Sequence, residues 1–404
     1  MSGGVLEGVR VVDLTSVVVG PVATMNLGDH GADVIKVESP DGDLLRRLGG
    51  MSRCGQLSPK FLHMNRNKRS IALDLKRPRA RQALERLIAS ADICVSNMRE
   101  AAMERLGLGR DALEAAYPRL IHCRLVGFGD GGRYAARPAY DGIIQGMGGM
   151  TAIFEEADGR PRFVPMTIAD HVVGLVAVQQ ILYQLYRRER TGKGGTLSVP
   201  MFENLAAFVM SEHMGQLTFE PKRGEPGDRR VLDPGTQPIP TKDGYICISA
   251  NTDHQAHALF RAIGRPELCE DPRFATVQAR YANVSQYFSL RNAALGERTT
   301  QEWLDILGAA DVPAGPSHSL MSLLDDPHLS DVSLFELREH PYEGMIRNIA
   351  LPGRAADLAR SDYLPPPLLG EHGREILSDA GLRPEEIDAM VAARELVTPE
   401  HGLS

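Results

Sequence analysis

An α/β fold with a doubly wound parallel sheet in its first half is what this sequence predicts, and three observations carry the prediction. Short β-branched runs alternate with helical stretches from the N-terminus onward. Turns rich in Gly, Pro, Ser or Asp close the early runs. The length, 404 residues, exceeds what one hydrophobic core usually organises, so a second, smaller unit is expected.

Residues 9–14 form the first β-branched run, and Gly20-Pro21 opens a helical stretch over 22–27, because Pro is favoured in a first helical turn. A second strand at 32–38 is closed by Ser39-Pro40-Asp41-Gly42, which completes a β-α-β rhythm. The theme repeats with a strand at 70–75, a helix at 78–89 and strands at 93–96 and 120–126. A β-type run at 163–168 leads into an apolar stretch, 171–186, that lacks Gly and Pro after Gly174 and predicts a long buried helix. The basic cluster at 187–190 ends it, and Thr191-Gly192-Lys193-Gly194-Gly195 follows a helix instead of opening one, so it reads as a stop signal and not as a phosphate loop. Residues 196–200 add a strand.

Composition shifts to Pro, Gly and charge from Phe219 to Pro240, which marks a linker. The expected division is therefore a large α/β domain over 1–218, a linker over 219–240, a small domain over 241–326, and a return segment with the C-terminal part of the large domain over 327–404. Within the small domain a strand is expected at 244–249 and helices at 253–263 and 300–307. Helices at 371–380 and 384–394 close the chain.

Hydrophobic residues make up 43% and charged residues 24%, and no stretch reaches the roughly 18 consecutive apolar residues of a membrane span. Without a basic, then apolar N-terminal leader, a soluble cytoplasmic protein is expected. Five cysteines lack C-x-x-C spacing, so neither a zinc site nor a disulfide framework is expected, and a formal charge of -7 disfavours nucleic acid. The sequence also lacks G-x-S-x-G, H-E-x-x-H, a P-loop, and G-x-G-x-x-G after the first strand. What remains is a set of carboxylates near turns and cations near strand ends. Asp170 stands out, between the 163–168 run and the apolar helix, at an N-cap position. A carboxylate there serves as a cap in most proteins; the same helix dipole would also keep an acyl-accepting nucleophile ionised.

Several blocks carry a family resemblance over almost the whole chain: Leu6 to Asp13, Gly31 to Glu38, Asn65 to Lys76, Met103 to Leu108, then Tyr140-Asp141, Asp170 and Arg190 to Gly194. In this order they resemble the class III CoA-transferases, which include formyl-CoA transferases and crotonobetainyl-CoA:carnitine CoA-transferases, with the α-methylacyl-CoA racemases as relatives. The resemblance implies a Rossmann-like large domain built from both chain ends, an inserted smaller α+β domain, and an interlocked homodimer. It implies coenzyme A bound as an acyl-CoA co-substrate, a small carboxylic acid as acceptor, and no metal. It places Asp170 as the catalytic carboxylate and Val18, Leu73, Lys76, Asn97, Met98, Arg105 and Tyr140 at the CoA site. Val18 stands where the formyl-CoA branch has a polar amide, which argues against formyl or oxalyl groups. Tyr140 stands where the racemases carry a His, which makes racemisation the second reading, with a catalytically silent CoA-binding protein as the third.

Overall fold

The computed structural model describes residues 4–50, 52–353 and 363–399. The chain divides into two compact units: Met1–Gly148, Val164–Ala207 and Val332–Ser404 form the first, Gly149–Phe163 and Phe208–Asp331 the second. Residues 219–240, expected as a linker, fall within the second unit and include a helical turn, Arg229–Leu232, and a strand, Ile239–Pro240. Residues 354–362 and 400–404 of the expected return segment lie outside the described residues.

The first unit is built on strands β1 Arg10–Leu14, β2 Asp33–Glu38, β3 Lys68–Leu73, β4 Ile93–Ser96, β5 Ile121–Val126 and β6 Gly195–Pro200. Their order is β3-β2-β1-β4-β5-β6, all parallel, and Leu396–Val397 adds an antiparallel edge beside β3. The order reverses at β1, whose Val12 lies level with Ile35 of β2 and Cys94 of β4. Successive residues Val11 and Val12 are both fully buried, as the residues of a parallel strand covered on both faces must be.

The connections carry helices α1 Val19–Asp29, α2 Pro59–Met64, α3 Pro78–Ala89, α4 Glu100–Arg105 and α5 Arg110–Ala116, and between β5 and β6 come α6 Asp141–Met147, α7 Met150–Asp158 and α8 Ile168–Thr191. In α3, Pro78 opens the first turn, and Ala80, Ala83, Leu84, Leu87 and Ile88 form one buried stripe at helical spacing. That stripe packs on Ile71 and Leu73 of β3 and on Ile376 and Met390 near the C-terminus. Burying each of its leucines stabilises the unit by about 1.5–3 kcal/mol. Helices α1 and α8 pack against each other. Their contact needs Gly174, because a Cβ there would stand 2.9 Å from the Val19 carbonyl oxygen.

Three expectations for this region are corrected. Residues 163–167 form no strand; they run as a loop pinned by hydrogen bonds to Gln145. Helix α8 begins at Ile168, so Asp170 occupies its first turn instead of the N-cap, which is Thr167. Nor is α8 buried throughout: Val173, Gly174, Ala177 and Ile181 face inward, while Leu175, Tyr183 and Tyr186 are exposed. By length and composition α8 would also suit a membrane span, but its inward face is used in packing on α1 and the sheet. Helix α6 ends at Met147 and α7 starts at Met150, so only Gly148 and Gly149, the latter with a φ of 85°, form the turn between them.

A buried ion network shapes the turn after β1. Lys68 Nζ donates to Asp13 Oδ2 (3.1 Å) and to Asn65 Oδ1 (2.9 Å), and Lys36 Nζ donates to Asp43 Oδ2 (2.9 Å) and the Thr15 carbonyl (3.0 Å). Asp43 Oδ1 accepts from the Val17 backbone N–H, holding Val17 at a φ of 69°, a left-handed conformation that is costly for a β-branched residue. Thus a charged cluster, not a glycine-rich loop, shapes the first strand-to-helix turn.

The second unit contains an antiparallel sheet, Ile239–Pro240, Tyr245–Ile248 and Ala314–Pro316, and helices Asp253–Ala262, Val277–Ala282, Val284–Ala293 and Thr300–Ala309. Capping boxes, Thr252 with Gln255 and Thr299 with Glu302, start two of these helices where they are expected. One core gathers Leu259, Trp303 and Leu307, and another gathers Phe260, Phe274, Tyr287 and Phe288.

Candidate active site

Parallel strands all end at one edge of the first unit, and the turns that leave them supply its functional groups. At the point where the strand order reverses, such an edge leaves a crevice in which ligands bind. A cavity of about 910 Å³ lies there, lined by Thr15 and Ser16 after β1, Ser39 to Asp43 after β2, Asp74 to Lys76 after β3, and Asn97 and Met98 after β4, with Ala102 and Arg105 from α4.

Five residues expected at the CoA site meet in this cavity: Leu73, Lys76, Asn97, Met98 and Arg105. Leu73 is fully buried in the floor. Lys76 and Arg105 are exposed cations with no side-chain partner among the described residues. Free cations over an apolar floor suit a phosphorylated nucleotide, because each offers charge-assisted hydrogen bonds that no carboxylate of the protein already uses. Asn97 is different, because its side chain is engaged twice by the Ser16 backbone: Oδ1 accepts from the N–H (3.1 Å) and Nδ2 donates to the carbonyl (2.9 Å). It shapes the wall of the cavity. Val18 and Tyr140 do not line it: Val18 is buried against Leu45, Leu57 and Phe61, and Tyr140 is exposed at the N-cap of α6.

Asp170 reaches the same edge by topology. Helices α1 and α8 each run back between parallel strands, so their N-termini lie together at the strand ends. Gly174 packs on the first turn of α1, and Asp170 lies one turn before it on the same face. The side chain is buried, yet no donor among the described residues reaches its carboxylate. Burial first, then the charge of Asp141, push Asp170 up to about 7, against the opposing pull of Lys60. Burial and Asp141 thus act against the ionisation that the helix dipole is expected to favour.

Asp141 and Gln145, which carried no role in the sequence reading, hold Asp170 in place. Asp141 Oδ2 accepts from the N–H groups of Ala169 (2.8 Å) and Asp170 (3.2 Å), capping α8 from a different helix. Gln145, one turn further along α6, donates to Asp141 Oδ1 (2.5 Å) and to the Met166 carbonyl (3.1 Å), and accepts from Val164 N–H (2.9 Å). An acid and an amide four residues apart at a helix start are visible in the sequence as a pair. The N–H groups that Asp141 caps, 28 and 29 residues downstream, are not. Lys60, in α2, has no sequence signal at all. Among the described residues no group of three or more His, Cys, Asp or Glu is arranged to hold a metal ion.

Comparisons with known proteins agree with this geometry. Residues 6–373 match the family model described as CoA-transferase family III. A succinyl-CoA:glutarate CoA-transferase of Mus musculus is 33% identical over 93% of this chain and 86% of its own length. A probable fatty acyl-CoA transferase of Mycobacterium tuberculosis is 34% identical over 92% of this chain and 97% of its own. Among solved structures, a CAIB/BAIF family protein from Brucella suis superposes with a TM-score of 0.80 at 31% identity, covering 94% of this chain and all of that one. With the family model spanning most of its length, and relatives matched nearly end to end, the chain belongs to CoA-transferase family III.

Proposed function

We propose that this enzyme moves CoA from an acyl-CoA donor to a small carboxylic acid, with Asp170 as the covalent carrier. The observation that carries the reading is a buried carboxylate that receives no hydrogen bond from the described residues, at the strand edge that also holds a cavity with two cations unpaired among them. In this reading an Asp170 carboxylate oxygen attacks the thioester carbonyl of the donor. The C–S bond breaks, leaving a mixed anhydride and CoA thiolate. The thiolate attacks the aspartyl carbonyl, the donor acid leaves as its carboxylate, and an enzyme-CoA thioester remains. An acceptor carboxylate attacks that thioester, and the thiolate, returning to the acceptor's acyl carbon, regenerates Asp170.

Lys76 and Arg105 would bind phosphates of CoA, and Leu73 and Met98 its base. Asp141 and Gln145 would orient the α8 terminus so that the nucleophile holds its position through both half-reactions. Burial of the carboxylate suits an anhydride that water must not reach. The strand order supports a Rossmann-like description of the first unit. We further infer an interlocked homodimer and a cytoplasmic location, in keeping with the family resemblance and with five free thiols. The relative named for succinyl-CoA and glutarate supports a short dicarboxylate as the acceptor class we favour.

Incubation with an acyl-CoA, followed by borohydride or hydroxylamine trapping and peptide mass analysis, tests the reading. The expected modification lies on Asp170; an unmodified Asp170 in turning-over enzyme removes the proposal. Washing of deuterium into the α-position of a 2-methylacyl-CoA, without any acceptor acid, would favour racemisation instead.

A further inference from the structure

The second unit holds a cavity of its own, about 330 Å³, a size at the lower end for small-molecule sites. Three arginines, Arg230, Arg280 and Arg291, line it, and no Asp or Glu does. Two of the three have a carboxylate partner: Arg230 pairs with Asp228 (3.2 Å) and Arg280 with Asp253 (2.7 Å). Arg291 has none. It is only 7% exposed and stacks over the Phe288 ring at 4.4 Å. Its Nε donates to Asn292 Oδ1 (2.9 Å) and its Nη2 to the Gly235 carbonyl (3.1 Å), both neutral acceptors. Its Nη1 has no partner among the described residues, and that atom is not sealed from the cavity.

Burying the guanidinium is costly even with the charge of Asp233 nearby, and the cost falls further when an anion meets its unpaired Nη1. Ile248, Val277, Val284 and Tyr281 also line the cavity and give it apolar surface, beside the polar Thr236, Ser249 and Asn251. We propose that this cavity is a binding site for a small organic carboxylate with a short hydrocarbon body: the carboxylate pairs with Arg291 Nη1, and the body lies along Val284 and Tyr281. Its lining residues all belong to the second unit, whereas Asp170 belongs to the first.

Titration calorimetry on the full chain tests it, with butanoate and glutarate as probes and butanamide as the neutral control. Butanoate is expected to bind the wild-type chain and butanamide to fail. Arg291→Gln should weaken butanoate by about tenfold or more, the usual loss for a charge-assisted hydrogen bond. Val284→Trp, which fills the cavity and leaves the arginine in place, should weaken it similarly. CoA binding, measured on the same samples, should be unchanged in both variants and reports that they are folded. Equal butanoate affinity in wild type and both variants, no binding of either acid to wild type, or butanamide binding as well as butanoate would each overturn the assignment.

Discussion

Asp13 and Asp170 are both buried carboxylates of the first unit, and they end in opposite states. Burial alone would raise both. At Asp13 it is overcome by Lys68 and Lys36, with help from the Thr15 and Thr24 hydroxyls, and the carboxyl is brought down to about 2. At Asp170 nothing comparable answers it: the nearest charges are Asp141, which adds to the effect, and Lys60, which only partly opposes it. The first aspartate is tied into the fold by three side chains at hydrogen-bond distance. The second keeps its oxygens available. Burial sets the stakes, and the partners decide whether a carboxylate becomes structure or a reagent.

The contrast is broken most severely by removing the reagent. Asp170→Ala is expected to lower CoA transfer by roughly a thousandfold or more, as loss of a covalent nucleophile does, with acyl-CoA affinity retained; a transfer assay with equilibrium binding of CoA checks both. Asp13→Asn should behave in the reverse manner. It leaves Lys68 buried without its anion, and a loss of about 3–5 kcal/mol in denaturant unfolding is expected. A variant at Asp13 as stable as wild type would mean that its ion pair is dispensable.

Protonation separates the two further. Because Asp170 is raised to about 7 in the folded chain from an ordinary 3.8, its contribution to stability is full below about pH 4 and is lost as pH rises through 7. Asp170→Asn should therefore be more stable than wild type at pH 8, by about 2–4 kcal/mol, with the advantage vanishing near pH 4. Asp13, lowered to about 2, has the opposite sign: its contribution is present above about pH 4 and is lost as pH falls toward 2. Denaturation midpoints across that pH range read both slopes.

The smallest effects sharpen the site itself. Lys76→Met and Arg105→Met should each raise the KM for acyl-CoA by about tenfold and leave kcat nearly unchanged, because a phosphate contact is made equally in ground and transition states. The rate of transfer should rise with pH through about 7, as Asp170 ionises. Asp141→Asn keeps an oxygen for the Ala169 and Asp170 N–H groups but removes the negative charge, so the acid limb should move down by about one pH unit. An unmoved limb would show that Asp141 only caps the helix.

Much of this molecule was legible before its structure. The strand ends at residues 38 and 96, the Pro78 helix start, and the apolar stripe of α3 follow from local periodicity and turn chemistry, which act over a few residues. Asp170 could be singled out from its place at the start of an apolar helix, whereas Lys76 and Arg105 came from the family resemblance. The 163–168 run misled because β-branched composition there serves a loop tied to Gln145, and the distinction is made by a helix 19 residues away. What the tertiary structure alone decided was the company each charge keeps. Lys60 and Asp141 beside Asp170, Asn97 clamping Ser16, and Arg291 with no salt-bridge partner among the described residues are through-space facts, and the free energy of a charge depends on its burial and its neighbours in space, which no spacing along the chain encodes.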